Sequence, residues 1–341
     1  MAVITVILAA VPALMILSLS FMAGGWIAPW ISFPGFSFRA IPDLTGQVAI
    51  VSGSNTGIGF VTARELARKG ANVVVAARSA EKGNDAVARI NKAIQGVKGA
   101  GSAVFLPLDL NSFENVRKFA SNFRGKFSRL DMLVLNAGVW PNKYSSTADG
   151  YEQTIGVNHL AHFLLVKMLM PLIRLSKTRV VTVSSALEKQ SYPDGIRFDT
   201  FKYDPAKYEK SYFSLTSYGH SKLANVLFSH ELARRLNGTG ATANVIHPGI
   251  IVTELHRDMH HQAFPMSTLY SIFNEFYRLA TMSVDNGALT QLFAATSPKL
   301  AGVTGRFFVP IALDRTASGN PHGLNATLAK LLWEESERMV R

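Results

Sequence analysis

Tyr218-Gly219-His220-Ser221-Lys222 sets a phenol and an amine four residues apart within SYGHSKLANVLFSHELARRL. That stretch reads as a helix, on which positions i and i+4 share a face, so the ammonium is expected beside the phenol. A tyrosine with an ordinary pKa of about 10 is a poor base at neutral pH, and a neighbouring cation favours its phenolate. The spacing therefore predicts Tyr218 as a proton donor or acceptor tuned by Lys222. Taken alone, Y-x-x-x-K recurs by chance and mostly marks a solvated helix face. Its weight rises because an apolar run ends in Val183-Ser184-Ser185, whose hydroxyls would emerge at the C-terminal edge of a sheet, where parallel sheets bind ligands.

A second constellation lies upstream. The run Val48 to Ser52 leads into Gly53-Ser54-Asn55-Thr56-Gly57-Ile58-Gly59 and then a helix expected to begin near Phe60. Glycines there allow a tight turn and let a pyrophosphate reach backbone N–H groups at a helix N-terminus with no Cβ in the way. An ordinary strand-to-helix turn could use the same glycines, but strand, spacing and helix occur in the order dinucleotide binding requires. A cofactor with a free ribose 2′-hydroxyl would normally meet an acid at the end of the second strand. Here that end reads Ala76-Ala77-Arg78-Ser79, with no acid until Glu81. An arginine fork can hold a 2′-phosphate and no carboxylate repels it, so NADP(H) is expected over NAD. The alternative is that Arg78 is only the solvated start of the next helix.

The elements that must position these groups are legible as alternating β-branched runs and amphipathic stretches from Asp43 onward, the pattern of βαβ units. Strands are predicted at Val48 to Ser52, Asn72 to Ala76, Ala103 to Leu106, Met132 to Leu135, Arg179 to Ser184, Ala243 to His247 and Arg306 to Val309. Runs such as VVTV lack polar alternation, as expected of strands covered on both faces. The expected fold class is α/β, a doubly wound Rossmann-type parallel sheet of about seven strands. Of the 341 residues, 48% are hydrophobic and 17% charged, which excludes a disordered chain. Thirty-five basic against 23 acidic residues give a net charge of +12, which attracts the phosphates of a cofactor or an anionic membrane. No Lys- or Arg-rich tract exists, so nucleic acid is not an expected partner. With no cysteine in the chain, disulfides, Cys-ligated zinc and thiolate catalysis are excluded.

No charged residue precedes Arg39. Ala2 to Ala23 would reach about 33 Å as a helix, enough for a hydrocarbon core of about 30 Å. Trp26, Trp30, Phe33, Phe36 and Phe38 follow, as in an interfacial belt. A cleaved signal peptide is the alternative, but a basic n-region is missing. Residues 1–38 are therefore expected to be a retained membrane anchor and residues 39–341 a single catalytic domain. Arg39 weakly favours a cytosolic domain, and the starting amine opposes it.

In order along the chain stand SGSNTGIG, LNAG at Leu135 to Gly138, GVNHLAHFLL around Asn158, VSS at Val183 to Ser185, YGHSK and HPG at His247 to Gly249. Over about residues 42–308 this series resembles the short-chain dehydrogenase/reductases, most closely the retinol dehydrogenase-like branch. The resemblance implies hydride transfer between nicotinamide C4 and a carbonyl or alcohol carbon, with proton exchange through Tyr218 and no metal. It also implies that Ser185, the second serine of its motif, binds the substrate oxygen, and that Lys222 also holds the nicotinamide ribose. Asn158 would support that lysine through a water. Asn136, Ala137 and Gly138 would lie beside the adenosine, Asp109 and Leu110 at the adenine, and Pro248, Gly249 and Val252 to Thr253 around the nicotinamide. An endoplasmic reticulum or lipid-droplet surface, and a homodimer, are compatible with it.

Ser52 and Leu135 depart from the residues common in that family without touching the chemistry. Ser185 and Tyr218 are 33 residues apart, longer than the family usually shows, and the insertion is expected to form a flap at the substrate mouth. Glu254 to Met282 is expected as an apolar lid, pointing to a lipophilic retinoid, steroid or lipid aldehyde, or else simply as helix packed on the sheet. His256, His260 and His261 lack a convincing carboxylate to complete a zinc site. His159 and His162 read as helix-packing residues. Asn237 and Asn325 open sequons that would report on topology. Two other functions fit the fold: an NADP(H)-binding membrane-tethered regulator without turnover, and a nucleotide-sugar epimerase or dehydratase. The first would not need both Tyr218 and Lys222.

Overall fold

Successive residues of a strand point to opposite faces of a sheet, and here both faces are covered. The structure, a computed structural model, describes residues 35–251 and 282–341. Val48, Ile50, Val74 and Ala76 enter one core, while Ala49, Val51, Val73 and Val75 enter the other. This double burial explains the unbroken apolar runs.

The strands are β1 (Val48–Ser52), β2 (Asn72–Ala77), β3 (Ser102–Pro107), β4 (Met132–Leu135), β5 (Arg179–Val183), β6 (Thr242–Ile246), β7 (Phe307–Val309) and β8 (Leu313–Asp314). They form one sheet in the order β3-β2-β1-β4-β5-β6-β7-β8, parallel except for the β7–β8 pair. The helices are α1 (Gly57–Arg68), α2 (Ala80–Ile94), α3 (Phe113–Lys126), α4 (Ala161–Leu175), α5 (Ser214–Arg235), α6 (Val284–Thr296) and α7 (Ala326–Met339). Apolar residues of α3, α4, α5 and α7 pack into the first core, and those of α1, α2 and α6 into the second. The result is a three-layer, Rossmann-type α/β fold whose strand order reverses between β1 and β4.

All seven expected strands form, with some ends shifted by a residue. The short β8 was not expected, because both its residues are exposed and it offers no apolar run. Helix α1 opens at Gly57 rather than near Phe60, and Gly57 makes the turn into it with a φ of +58° that only a glycine takes readily. Gln153–Ile155 and a π-turn at Gly156–Leu160 lead into α4. The continuous helix Gln153–Leu175 is apolar enough to cross a membrane but is mostly buried as a core element.

The aromatic residues expected at a membrane interface divide. Phe36 and Phe38 pack against the second core, Phe36 lying edge-on to Phe293 at 5.5 Å. Trp26, Trp30 and Phe33, with the stretch Ala2 to Ala23, lie outside the described residues. So do Val252, Thr253, His256, His260, His261 and the expected lid up to residue 281. The described ends of that segment, Ile251 and Met282, pair in a parallel bridge, with the Met282 N–H donating to the Ile250 carbonyl at 2.8 Å.

Candidate active site

The glycine loop fills the crevice at the strand reversal. Gly53 has a φ of +65°, and a Cβ on it would lie 3.0 Å from Cα of Ala137. A Cβ on Gly59 would approach Nδ2 of Asn136 to 2.5 Å and the Gly53 carbonyl oxygen to 2.6 Å. Any side chain at either position would push β1 and β4 apart. Asn136 Nδ2 donates to the Ser52 carbonyl at 2.8 Å, which ties the two loops together. Ser54 is buried and gives its hydroxyl to the Val51 carbonyl at 2.7 Å, so it braces the turn. Thr56, which precedes α1, makes no side-chain cap bond, and Asn55 stands beside it in the turn. A helix N-terminus of this kind, with glycine at both ends of its approach, fits a diphosphate.

Arg78 is exposed immediately after β2. Ser79 caps α2 by accepting the Lys82 N–H at 3.3 Å. Beyond β3, half-buried Asp109 accepts the Asn111 N–H at 3.0 Å and Leu110 is buried. After β6, Pro248 and Gly249 are half-buried, and Gly249 takes a φ of +102°.

A polar chain runs from the loop into the sheet's other face. Ser52 Oγ accepts the N–H groups of Asn136 and Ala137 at 2.9 and 3.0 Å and lies 3.0 Å from Nε2 of His162. Nδ1 of His162 is 3.1 Å from the Asn158 carbonyl. That carbonyl can only accept, so Nδ1 carries the proton and Nε2 accepts from the Ser52 hydroxyl. Burial pushes the imidazole down to about 4, which keeps this tautomer neutral. The Asn158 side chain accepts the Val139 N–H at 2.8 Å and donates to the Val139 carbonyl at 3.0 Å. Its amide also donates to Ser221 Oγ at 2.9 Å, and Ser221 in turn donates to the Tyr218 carbonyl at 2.8 Å. Helix α5 is thus fastened to the loop after β4 by an asparagine set on the π-turn, a device common at functional positions.

Tyr218 is only 5% exposed, and the Ser185 hydroxyl lies close enough to its phenol to favour the phenolate. Lys222 Nζ lies 5.4 Å from the centre of the Tyr218 ring and donates to the Val183 carbonyl at 3.1 Å. The lysine's nearness does not by itself make the phenol a ready base: burial pushes it well above its ordinary value, and the Ser185 hydroxyl only partly opposes this. Burial also pulls Lys222 down to about 8. Ser184 turns away, donating to the Lys222 carbonyl at 2.8 Å, which leaves Ser185 as the serine beside the phenol. Gly138 borders the same space: a Cβ on it would lie 3.3 Å from Asn158 Oδ1 and 3.5 Å from Lys222 Nζ.

Tyr218, Lys222, Ser185, Asn158 and Gly138 therefore converge, next to the glycine loop. The long insertion is not a flap. Phe201 and Ile196 are buried in the first core, and the Arg197 N–H donates to His220 Nε2 at 3.1 Å, so the segment is a packed strap. Its first turn, Ala186–Gln190, presses on α5 where a Cβ on Gly219 would meet the Leu187 carbonyl oxygen at 2.5 Å. The glycine in YGHSK lets Ser185 reach Tyr218, a contact that the small residue beside the tyrosine could have signalled. Trp140 was missed altogether: its ring stacks on Tyr218, centroids 4.5 Å apart and planes 15° from parallel, and no local pattern announces that contact. His159 packs as expected, against Phe163 and Phe228. Among the described residues no group of three or more His, Asp and Glu could hold a metal ion.

Known proteins resemble this chain in sequence and in fold. Residues 47–202 match the family model for short chain dehydrogenases. The chain is 35% identical over 305 residues to retinol dehydrogenase 14 of Homo sapiens, covering 86% of each. It is 38% identical over 295 residues to retinol dehydrogenase 11 of Homo sapiens, again covering 86% of each. Among solved structures, a putative uncharacterized protein from Mycobacterium paratuberculosis superposes with a TM-score of 0.68 at 30% identity, over 90% of this chain and 98% of that one.

Proposed function

Because the chain belongs to the short-chain dehydrogenase family of oxidoreductases, we propose that it interconverts a carbonyl and an alcohol with NADP(H) on a lipophilic substrate, a retinoid, steroid or lipid aldehyde or ketone. The observation that carries the reading is the Ser185 hydroxyl beside the Tyr218 phenol, with Lys222 Nζ 5.4 Å from the centre of the phenol ring. A protein that only sensed the dinucleotide would not need the Ser185–Tyr218 pair. The names of the relatives, retinol dehydrogenases, support a lipophilic substrate.

In this reading Gly53 to Gly59 hold the pyrophosphate, and Arg78 holds a 2′-phosphate. Asp109 and Leu110 border the adenine, Asn136 to Gly138 the adenosine, and Pro248, Gly249 and Thr253 the nicotinamide. A reduced nicotinamide dinucleotide bound there supplies the hydride. Ser185 and Tyr218 both donate to the substrate oxygen, fixing the carbonyl, and Tyr218 gives up its proton to that oxygen as the alcohol forms. The resulting phenolate is stabilised by Ser185 and by the Lys222 ammonium, which also holds the ribose. Asn158 positions Ser221 and the Val139 backbone. The stretch before residue 35 anchors the domain to a membrane, with the domain on the cytosolic side, while Phe36 and Phe38 belong to the domain.

Purified protein assayed with NADPH and NADH against aldehydes and ketones of increasing chain length tests the reading. Turnover is expected to favour NADPH and longer chains. Tyr218→Phe is expected to lower kcat by about 10²- to 10⁴-fold, the usual contribution of a general acid, while NADPH binding followed by fluorescence stays unchanged. Undiminished turnover in that variant removes Tyr218 from the mechanism.

A further inference from the structure

The four residues after β4, Asn136 to Val139, run between the glycine loop and the Lys222 amine. Asn136 Nδ2 reaches the Ser52 carbonyl, and Gly138 borders Lys222 Nζ. Side chains grip this short loop at both ends. Ser52 Oγ accepts the N–H groups of Asn136 and Ala137, while the Asn158 amide closes on the Val139 N–H and carbonyl. One imidazole on α4 joins the two grips: His162 Nε2 lies 3.0 Å from Ser52 Oγ, and its Nδ1 lies 3.1 Å from the Asn158 carbonyl oxygen. The ring is buried, so bulk water does not compete for either bond.

A hydroxyl has one proton and two lone pairs. Both lone pairs of Ser52 go to the loop N–H groups, which leaves its proton for His162 Nε2. The Val134 carbonyl is a more distant acceptor at 3.4 Å, and turning the proton toward it would rotate the lone pairs off the loop. Across the ring, the Nδ1–H holds the backbone of Asn158, whose amide grips Val139. A phenylalanine would fill the same space and hold neither. We propose that His162 is a positioning residue that sets the loop Asn136 to Val139 against the dinucleotide, fixing the Ser52 hydroxyl on one side and Asn158 on the other while touching neither cofactor nor substrate. This rests on the reading above that the crevice binds a nicotinamide dinucleotide.

The test titrates the full chain by fluorescence with NADPH or NADH, whichever the wild type binds more tightly. Kd is expected to rise by about tenfold in His162→Phe and at least as much in Ser52→Ala, in line with the loss of a hydrogen bond from a buried network. The double variant should match the weaker-binding single variant, because both break one link. His162→Gln can place Oε1 where Nε2 stands and should recover most of the loss, whereas His162→Asn reaches only the Asn158 carbonyl and should recover little. If His162 merely packs, Tm shifts while Kd of the folded His162→Phe variant stays within about twofold, which overturns the proposal. Losses that multiply to about a hundredfold in the double variant also overturn it, since unlinked sites add in free energy. Should His162→Phe fail to fold, judged by thermal unfolding, His162→Gln and His162→Asn decide the matter: tighter binding by Gln upholds the Ser52 link, and equal binding overturns it. A wild type that binds neither dinucleotide defeats the proposed function itself, and this inference with it.

Discussion

Burial, more than the neighbouring lysine, sets the protonation state of Tyr218, and the direction of the reaction inherits that asymmetry. The phenol is raised well above its ordinary pKa, so it stands protonated at neutral pH. Reduction of a carbonyl uses that proton, whereas oxidation of an alcohol needs the phenolate. The buried histidines around the site, His162, His220 and His247, are pushed down to about 4, 3 and 3 and stay neutral above pH 6. Lys222, at about 8, keeps its charge below that pH. Between pH 6 and 8, kcat for reduction should be flat, while kcat for alcohol oxidation should climb by roughly tenfold per unit, following the phenolate fraction. Steady-state rates at saturating cofactor in both directions check this, and a flat oxidation profile would mean that the phenol titrates far lower than its burial dictates. The i, i+4 spacing made Tyr218 and Lys222 legible because both belong to one helix. The same spacing links Asn158 to His162, yet that link reads as packing until Ser52 is seen on the far side of the ring.

At the scale of elements, the parallel strands were legible because each is apolar on both faces, and the glycine loop because its conformation demands glycine. The strap between β5 and α5 was not. Its aromatic and lysine-rich composition suggests a mobile surface loop, whereas what holds it is non-local: His220 on the Arg197 backbone, and Glu188 on the C-terminal segment. Glu188 is fully buried. The Asn320 N–H donates to its two carboxyl oxygens at 2.9 and 3.1 Å, and Asn320 Nδ2 donates to the Glu188 carbonyl at 2.9 Å. Burial raises the carboxyl from 4.5 to about 7, against the Asn320 N–H and Lys189. The unfolded chain releases this proton near pH 4.5 and the folded chain holds it to about 7. In that window the folded state binds more protons, so stability falls as pH rises, by at most about 3 kcal/mol when complete. Glu188→Gln keeps an acceptor for Asn320 without the titration. Its Tm should therefore exceed that of the wild type by a few degrees at pH 8 and match it closely at pH 5. Equal differences at both pH values would show that the charge on Glu188 is not what destabilises the strap.

The whole molecule joins an uncharged N-terminal stretch of 38 residues to a domain that carries the entire net charge of +12. The described members of both cores lie beyond residue 35, so a chain beginning at residue 35 keeps all of them. Full-length protein should sediment with membranes and resist extraction by high salt, and the shortened chain should remain in the supernatant. Topology has its own readout, because both sequons are accessible: Asn237 is exposed just past the end of α5, and Asn325 is exposed at the cap of α7, where its side chain accepts the Leu328 N–H at 2.9 Å. A domain translocated across the membrane would present at least Asn237 to glycosylation. A cytosolic domain would present neither, so peptide N-glycosidase should leave the mobility of protein expressed in eukaryotic cells unchanged. Replacing Asn237 and Asn325 with glutamine separates the outcomes: a shift with glycosidase that disappears in the double variant would put the catalytic domain on the lumenal side.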